Sequence, residues 1–499
     1  MESTVETPLG RVRGSDASGI RRFLGIPYAA PPLGALRFAP PAPARPWAGV
    51  RDANAFGPAP LQPVDGLSQQ LGLLGEHAQD EDCLTLNVFA PATPARTPLP
   101  VMVWLHGGAF QTGTAAGPAY DGTHLARRGR VVVVTLNYRV GALGFLATGV
   151  RDAANLGLQD QVAALRFVRE GIVAFGGDPD NVTVFGESAG AGSIACLLAM
   201  PMARGLFGRA IVQSAAPEGQ LGADEAAARA EILAEKLGAG PLDLEALRRL
   251  PAERVAAAQA ACLEPGPRRI GMFFAPVVDG FVLPEAPLAA VAKGEAREVE
   301  LVIGTTADEM QLFTLVPGFG DVPEAVLPQL IATRLPGPRD TSLARAERLL
   351  ALYPAAGSAT ERFFAVETDA SLFVPSTRFA EAQARHQPRT FMYRFSWCSP
   401  FGGGRLGACH ALDVPFALGT WELPKLREFA GSGPAAARVA GAMMDAWAAF
   451  AARGDPSHPG IPRWPAYAPP RRATLELGDP CRVIDAPCEA RRRALSEGA

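Results

Sequence analysis

The run Thr183-Val184-Phe185-Gly186-Glu187-Ser188-Ala189-Gly190 sets a serine between two glycines, directly after a β-branched and aromatic stretch. Small residues follow it: Ala191, Gly192, Ser193 and Ala195. The pattern predicts strand, sharp turn and helix, with one hydroxyl at the apex. Such a turn imposes a strained backbone on the serine, and only glycine neighbours leave room for it. The free N–H groups at the helix start then favour negative charge developing beside the oxygen. With 53 glycines in the chain, G-x-S-x-G alone arises readily by chance. The flanking strand and small-residue helix make it specific.

The rest of the chain supplies a setting for that turn. Residues 84–89, 99–105, 131–136, 182–185, 210–213 and 299–303 read as strands. The 131–136 run is nearly all apolar and β-branched, as expected of a strand buried on both faces. Residues 160–175 repeat Val162, Leu165, Phe167, Val168 and Ile172 at helical spacing, and 435–452 form a last long helix ending near Gly454. Alternating buried strands and helices predict an α/β fold with a large, mostly parallel sheet. Residues 4–13 and 19–24 read as short strands around a turn at 14–18. Residues 220–262 and 322–390 are mostly helical by composition. The 61–80 segment, with Leu67, Leu71, Leu73 and Leu74 among polar residues, is either a mobile lip or a covering loop. The covering loop is the favoured reading.

Composition narrows the partners. A net charge of −3 without a basic cluster argues against nucleic acid. No apolar run is long enough to span a bilayer, so no membrane association is expected. Residues 1–6 are acidic and do not read as a secretory signal, which points to the cytoplasm. The seven cysteines, an odd number, lack metal-type spacing. They are expected to be reduced, mostly buried thiols, with no metal site.

A serine hydroxyl needs a general base, and histidine suits best at neutral pH. Six histidines exist. His77 and His124 precede the serine in polar or glycine-rich stretches, and His386 and His458 read as surface. His106 opens His106-Gly107-Gly108-Ala109-Phe110 straight after a strand, where the glycines are better suited to presenting N–H groups to an oxyanion. His410, late in the chain between apolar segments, fits the order serine, acid, histidine. The acid is expected at the end of the 299–303 strand, where Asp308 and Glu309 adjoin. Composition does not choose between them.

Ordered matches along nearly the whole chain resemble the type-B carboxylesterase family, which includes bacterial para-nitrobenzyl esterases, carboxylesterases and cholinesterases. They comprise Gly25-Ile26-Pro27-Tyr28-Ala29, Glu81-Asp82-Cys83-Leu84, the H-G-G-A-F run, Asn137-Tyr138-Arg139, Gly176-Gly177-Asp178-Pro179, the serine turn with its preceding Glu187, Gly304-Thr305-Thr306, and Trp464-Pro465. The resemblance implies a single α/β-hydrolase domain over 1–499, with helical insertions at about 220–265 and 320–390 walling a gorge. It implies Ser188 as nucleophile, His410 as base and Glu309 as acid, since the family's acid is the glutamate of D-E-G; here Met310 replaces the glycine. It further implies an oxyanion hole from the N–H groups of Gly107, Gly108 and Ala189. Glu187, Ser214 and Asp413 match a buried polar network behind the histidine. Arg37 with Glu81, and Arg139 with Asp160, match structural ion pairs.

Two departures refine this. Secreted members pair the cysteine matching Cys83 with one near position 60, where Pro60 stands here. The choline-binding tryptophan of cholinesterases has no counterpart in 61–80. An apolar segment, Ile270, Met272, Phe273 and Phe274, is expected to line an acyl pocket for small to medium groups. The expected activity is carboxylic-ester hydrolysis on a small molecule, without cofactor, by a monomer. Rival readings are hydrolysis of an amide, lactone, carbamate or natural-product ester on the same residues, and a non-catalytic binding module, which typically lacks triad residues.

Overall fold

The computed structural model describes residues 2–93, 95–215, 217–238, 243–262, 272–316, 321–335, 339–354 and 357–497. Its strands are β1 Glu2–Thr7, β2 Gly10–Ala17, β3 Ile20–Pro27, β4 Val50–Asp52, β5 Thr85–Pro91, β6 Leu99–Leu105, β7 Val132–Leu136, β8 Gly177–Glu187, β9 Arg209–Gln213, β10 Glu300–Thr306, β11 Thr390–Phe395, β12 Ala473–Leu477 and β13 Arg482–Asp485. They lie in one sheet in the order β1-β2-β3-β5-β7-β6-β8-β9-β10-β11-β12-β13, with β4 beside β2. The run from β7 to β12 is parallel throughout, and the edges are antiparallel except for β4, which pairs parallel with β2.

The parallel centre is buried on both faces, which explains its nearly continuous apolar sequence. Alternate residues of β6 feed two cores: Val101, Val103 and Leu105 join one, Met102 and Trp104 the other. The helix Leu156–Gly171 covers the first face with Leu158, Val162 and Leu165. The helix Pro434–Arg453 covers the second with Val439, Met443, Trp447 and Phe450. Each such side chain contributes about 1.5–3 kcal/mol by leaving water. Proline opens the second helix, where its missing N–H costs nothing, and Gly454 closes it with φ 72°.

The N-terminal edge differs from the sequence reading. The turns fall at Pro8-Leu9 and Ser18-Gly19, and the residues expected to turn, 14–18, mostly belong to β2. Gly14 acts here as a strand glycine. A Cβ on it would lie 2.2 Å from the Arg22 carbonyl oxygen and 2.6 Å from the Phe23 ring. It permits close approach of β3 rather than reversing the chain. Thr7 Oγ1 instead braces the earlier turn, donating to Gly10 O at 2.7 Å and accepting from Leu9 N.

The cysteines also depart from expectation. All seven are free, but only Cys83, Cys196 and Cys409 are buried; Cys262, Cys481 and Cys488 are half-buried and Cys398 is exposed. Cys398 follows the end of β11, where the chain leaves the sheet core. The 61–80 segment contains a short helix, Gly66–Gln70, capped by Asp65. Leu71, Leu73 and Leu74 are buried in the core that holds Trp104, Tyr120 and Leu426. Among the described residues no helix is long and apolar enough to cross a membrane. Helices 223–236, 244–249 and 252–262 occupy the first expected insertion, and helices 327–332, 339–350, 359–368 and 374–384 the second.

Candidate active site

Parallel sheets leave a crevice beyond the carboxyl ends of their strands. Four neighbouring strand ends converge there. β6 ends at Leu105 before the glycine turn, β8 at Glu187 before Ser188, β9 at Gln213 before Ser214, and β10 at Thr306 before Glu309. Register holds them together: Leu105 pairs with Gly186, and Glu187 with Gln213.

Ser188 sits at φ 55°, ψ −121°, immediately before the helix Ala189–Ala199. Its N–H donates to Gln213 O at 2.9 Å, and its carbonyl accepts from Gly192 N at 2.8 Å. This strained backbone needs its glycines. A Cβ on Gly190 would lie 2.0 Å from the Leu105 carbonyl oxygen, and one on Gly186 2.6 Å from that same oxygen. The serine is thus held rigidly at a helix N-terminus, where backbone N–H groups stabilise an anion.

The second loop lies against it. A Cβ on Gly107 would meet Glu187 Oε2 at 2.9 Å and Ser188 Cβ at 3.2 Å. Gly108 has φ 111°, and a Cβ there would strike the Thr112 carbonyl oxygen at 2.2 Å. Ala109 and Phe110 also take positive φ, so the whole turn is tight. His106 is fully buried and stacked on Tyr138, ring centroids 4.3 Å apart. Its Nδ1 bonds Gly107 O at 2.9 Å, and burial lowers its pKa to about 4 despite that bond. It is a neutral support of the turn.

His410 meets the acid loop. Its Nδ1 lies 2.7 Å from Glu309 Oε2, and its N–H donates to Glu309 O at 3.1 Å. Glu309 is fully buried, and its Oε1 accepts from Thr306 N at 2.7 Å. Asp308, which composition left as an equal alternative, serves elsewhere. Its carboxylate accepts from Ala408 N at 2.9 Å and its N–H donates to Ala408 O at 2.8 Å. Asp308 therefore ties the two loops while Glu309 faces the imidazole. Met310 is buried within the 3-10 turn Glu309–Leu315, and its N–H donates to Thr368 Oγ1 at 3.1 Å.

The other imidazole nitrogen, Nε2, lies 3.0 Å from Glu187 Oε1, a close electrostatic contact. Among the described residues no hydrogen bond joins it to Ser188, the next residue along the chain from Glu187. Such bonds commonly tighten only when substrate is bound. Burial by itself lowers the His410 pKa, but Glu187, Glu309 and Asp413 together outweigh it and raise it to about 9. Burial raises Glu187 to about 8, with Asp413 and Glu309 adding and His410 opposing. Asp413 is raised to about 6, chiefly by burial. Its Oδ2 accepts from Gln213 Nε2 at 3.0 Å and Tyr393 OH at 2.8 Å, and Trp447 Nε1 donates to Gln213 Oε1. Ser214 is buried beside this network at the end of β9. Sequence reasoning did not single out Gln213, Tyr393 or Trp447, because each sits in a core element and no local pattern marks it. It also missed Phe313, whose ring centroid lies 5.7 Å from that of His410.

Of the expected acyl-pocket residues, Ile270 lies outside the described residues. Met272 and Phe273 are half-buried and Phe274 is buried, the two rings packing edge to face at 4.9 Å. Arg229 holds this stretch by donating to the carbonyls of Met272 and Phe273. The expected ion pairs form: Arg37 with Glu81, and Arg139 with Asp160, the latter 4% and 0% exposed.

Comparison with known proteins places the whole chain in a family. The model of the carboxylesterase family matches residues 1–494. The chain is 40% identical over 495 residues to a para-nitrobenzyl esterase of Bacillus subtilis, covering 98% of each. It is 37% identical to a phenmedipham hydrolase of Pseudarthrobacter oxydans, covering 95% of this chain and 94% of that one. A solved PNB esterase structure superposes with TM-score 0.89 at 40% identity, covering 99% of both chains. With sequence and α/β-hydrolase architecture shared along almost its full length, the chain belongs to the carboxylesterase family.

Proposed function

We propose that this carboxylic-ester hydrolase works through Ser188, His410 and Glu309, by way of a covalent acyl-enzyme, on small to medium apolar esters. His410 Nε2 takes the serine proton as Oγ attacks the ester carbonyl, forming a tetrahedral oxyanion. The N–H groups of Gly107, Gly108 and Ala189 stabilise that oxyanion, each donor being worth about 3 kcal/mol in such sites. The imidazolium returns the proton to the leaving alcohol. Water, deprotonated by the same imidazole, then releases the acid. Glu309 fixes the tautomer and stabilises the imidazolium through its 2.7 Å contact with Nδ1. Glu187 faces Nε2 of the imidazole at 3.0 Å, Ser214 and Asp413 complete the buried polar network around it, and Met272, Phe273 and Phe274 border the acyl group.

The observation that carries this reading is Ser188 at φ 55° on a helix N-terminus, backed by the close glycine turn at Gly107. The free state of all seven cysteines supports a reducing compartment such as the cytoplasm. A chain-length series of p-nitrophenyl esters, run beside the matching anilides, tests the substrate class. Ester hydrolysis falling off with long acyl chains is expected. Anilide hydrolysis equal to or faster than ester hydrolysis would move the assignment to an amidase.

A further inference from the structure

The 61–80 segment does more than cover the core. Two of its side chains grip the loop that follows the glycine turn. Gln62 binds Gly113 with both ends of its amide: Nε2 donates to Gly113 O at 2.8 Å, and Oε1 accepts from Gly113 N at 2.6 Å. Gln62 is itself anchored, its N–H donating to Gln79 Oε1 and its Nε2 also to Pro60 O, each at 2.9 Å. Three residues on, Asp65 Oδ2 accepts from Thr112 Oγ1 at 3.1 Å.

These partners are the residues that shape the turn. Gly113 has φ 120°, and a Cβ there would lie 2.5 Å from Gly107 O and 2.2 Å from His106 Nδ1. Gly113 therefore packs directly on the backbone of Gly107, which in turn packs on Ser188. Thr112 closes the other side: its N–H and hydroxyl both reach Gly108 O, at 2.9 Å and 3.2 Å. A displacement of 112–113 has no slack to absorb it before reaching Gly107 and Gly108. The Asp65 carboxylate also caps the short helix, accepting from Ser68 N at 3.0 Å and Ser68 Oγ at 2.8 Å. Leu71, Leu73 and Leu74 root that helix in the core.

We infer that Gln62 and Asp65 are positioning residues that set the oxyanion turn from the covering segment. The inference rests on the reading of Gly107 and Gly108 as oxyanion donors. An amide pairing both backbone groups of one glycine mimics a strand neighbour, and it fixes position and tilt together. Donors to an oxyanion must be aimed at the transition state, and misplacement by about 1 Å costs up to about a hundredfold in rate.

The test compares wild type with Q62A, D65A, D65N, T112V and the double variant D65A/T112V. Each is assayed for kcat and KM on p-nitrophenyl butyrate and for inhibition by an alkyl trifluoromethyl ketone, whose tetrahedral adduct uses the oxyanion donors. Q62A should lower kcat roughly tenfold or more and weaken the ketone in proportion, with KM within about twofold. D65A and T112V should each give a smaller loss, and the double variant a loss short of their full sum, because they share the Asp65–Thr112 bond while each also breaks a contact of its own. D65N keeps one acceptor oxygen for the Thr112 hydroxyl and should lose less than D65A. The inference is overturned if Q62A, D65A and T112V keep wild-type kcat and ketone affinity. It is equally overturned if D65A and T112V losses add fully. Should Q62A not fold, the D65A, D65N and T112V set decides alone. Failure of wild type itself to bind the ketone would instead sink the oxyanion reading.

Discussion

Nε2 of His410 faces Oε1 of Glu187 at 3.0 Å, so the carboxylate preceding the serine in sequence lies against the base in space. The imidazole is flanked on its other side by Glu309, 2.7 Å from Nδ1. An imidazole between two carboxylates favours its charged form, yet a general base must be neutral.

The pH profile follows from that conflict. The carboxylates raise the His410 pKa above the ordinary 6.5, so kcat/KM should climb as pH rises through the raised value. Replacing Glu187 by Gln removes one raising charge. The acid limb should then move to lower pH, by about one unit or more. An unchanged limb in E187Q would show that Glu187 does not set the base.

Asp308 and Glu309 should separate cleanly. E309Q leaves Nδ1 without its carboxylate and is expected to lower kcat by about a thousandfold or more, with little change in KM. D308N removes a carboxylate from the Ala408 N–H, a loop bond, and should cost about 1–2 kcal/mol of stability while kcat stays near wild type. Steady-state kinetics and urea denaturation of both variants check this. The opposite ranking would reassign the acid.

The glycines divide by what a Cβ would strike. In G190A the methyl meets the Leu105 carbonyl at 2.0 Å, so the elbow cannot form and loss of folded protein is expected. In G107A the nearest atom is the Glu187 carboxylate at 2.9 Å, which can yield. G107A should fold but lose kcat, as circular dichroism and turnover measured together would reveal. A folded, active G190A would contradict the elbow geometry.

How much of this was legible in the sequence depended on where each signal resides. β6 and β7 were readable because burial on both faces leaves almost no polar interruption, Thr135 being the one. Ser188 was readable because its strain demands Gly186 and Gly190, which are local. Glu309 over Asp308 was not legible from composition. The choice is made by Ala408, one hundred residues away, whose N–H and carbonyl both engage Asp308. The N-terminal turn was misplaced because Gly14 answers to Phe23 across the sheet rather than to its own neighbours. Gln62 carried no signal, since its partner Gly113 lies 51 residues on.

The frame beneath the site is open to a stability test. Asp160 takes both the guanidinium and the N–H of Arg139 at 2.7–3.0 Å, almost wholly out of solvent. D160A strands a buried cation and should cost about 3–5 kcal/mol, read as a lower guanidinium chloride midpoint. A midpoint equal to wild type would show that the pair is dispensable.

The most direct test of the central assignment is labelling with a fluorophosphonate, followed by intact-mass measurement and peptide mapping. One adduct per chain is expected, on Ser188, forming as ester hydrolysis disappears; S188A should be unlabelled and inactive, and H410A should label far more slowly. An adduct on another residue that abolishes activity, or an S188A variant that hydrolyses p-nitrophenyl butyrate like wild type, would contradict the assignment.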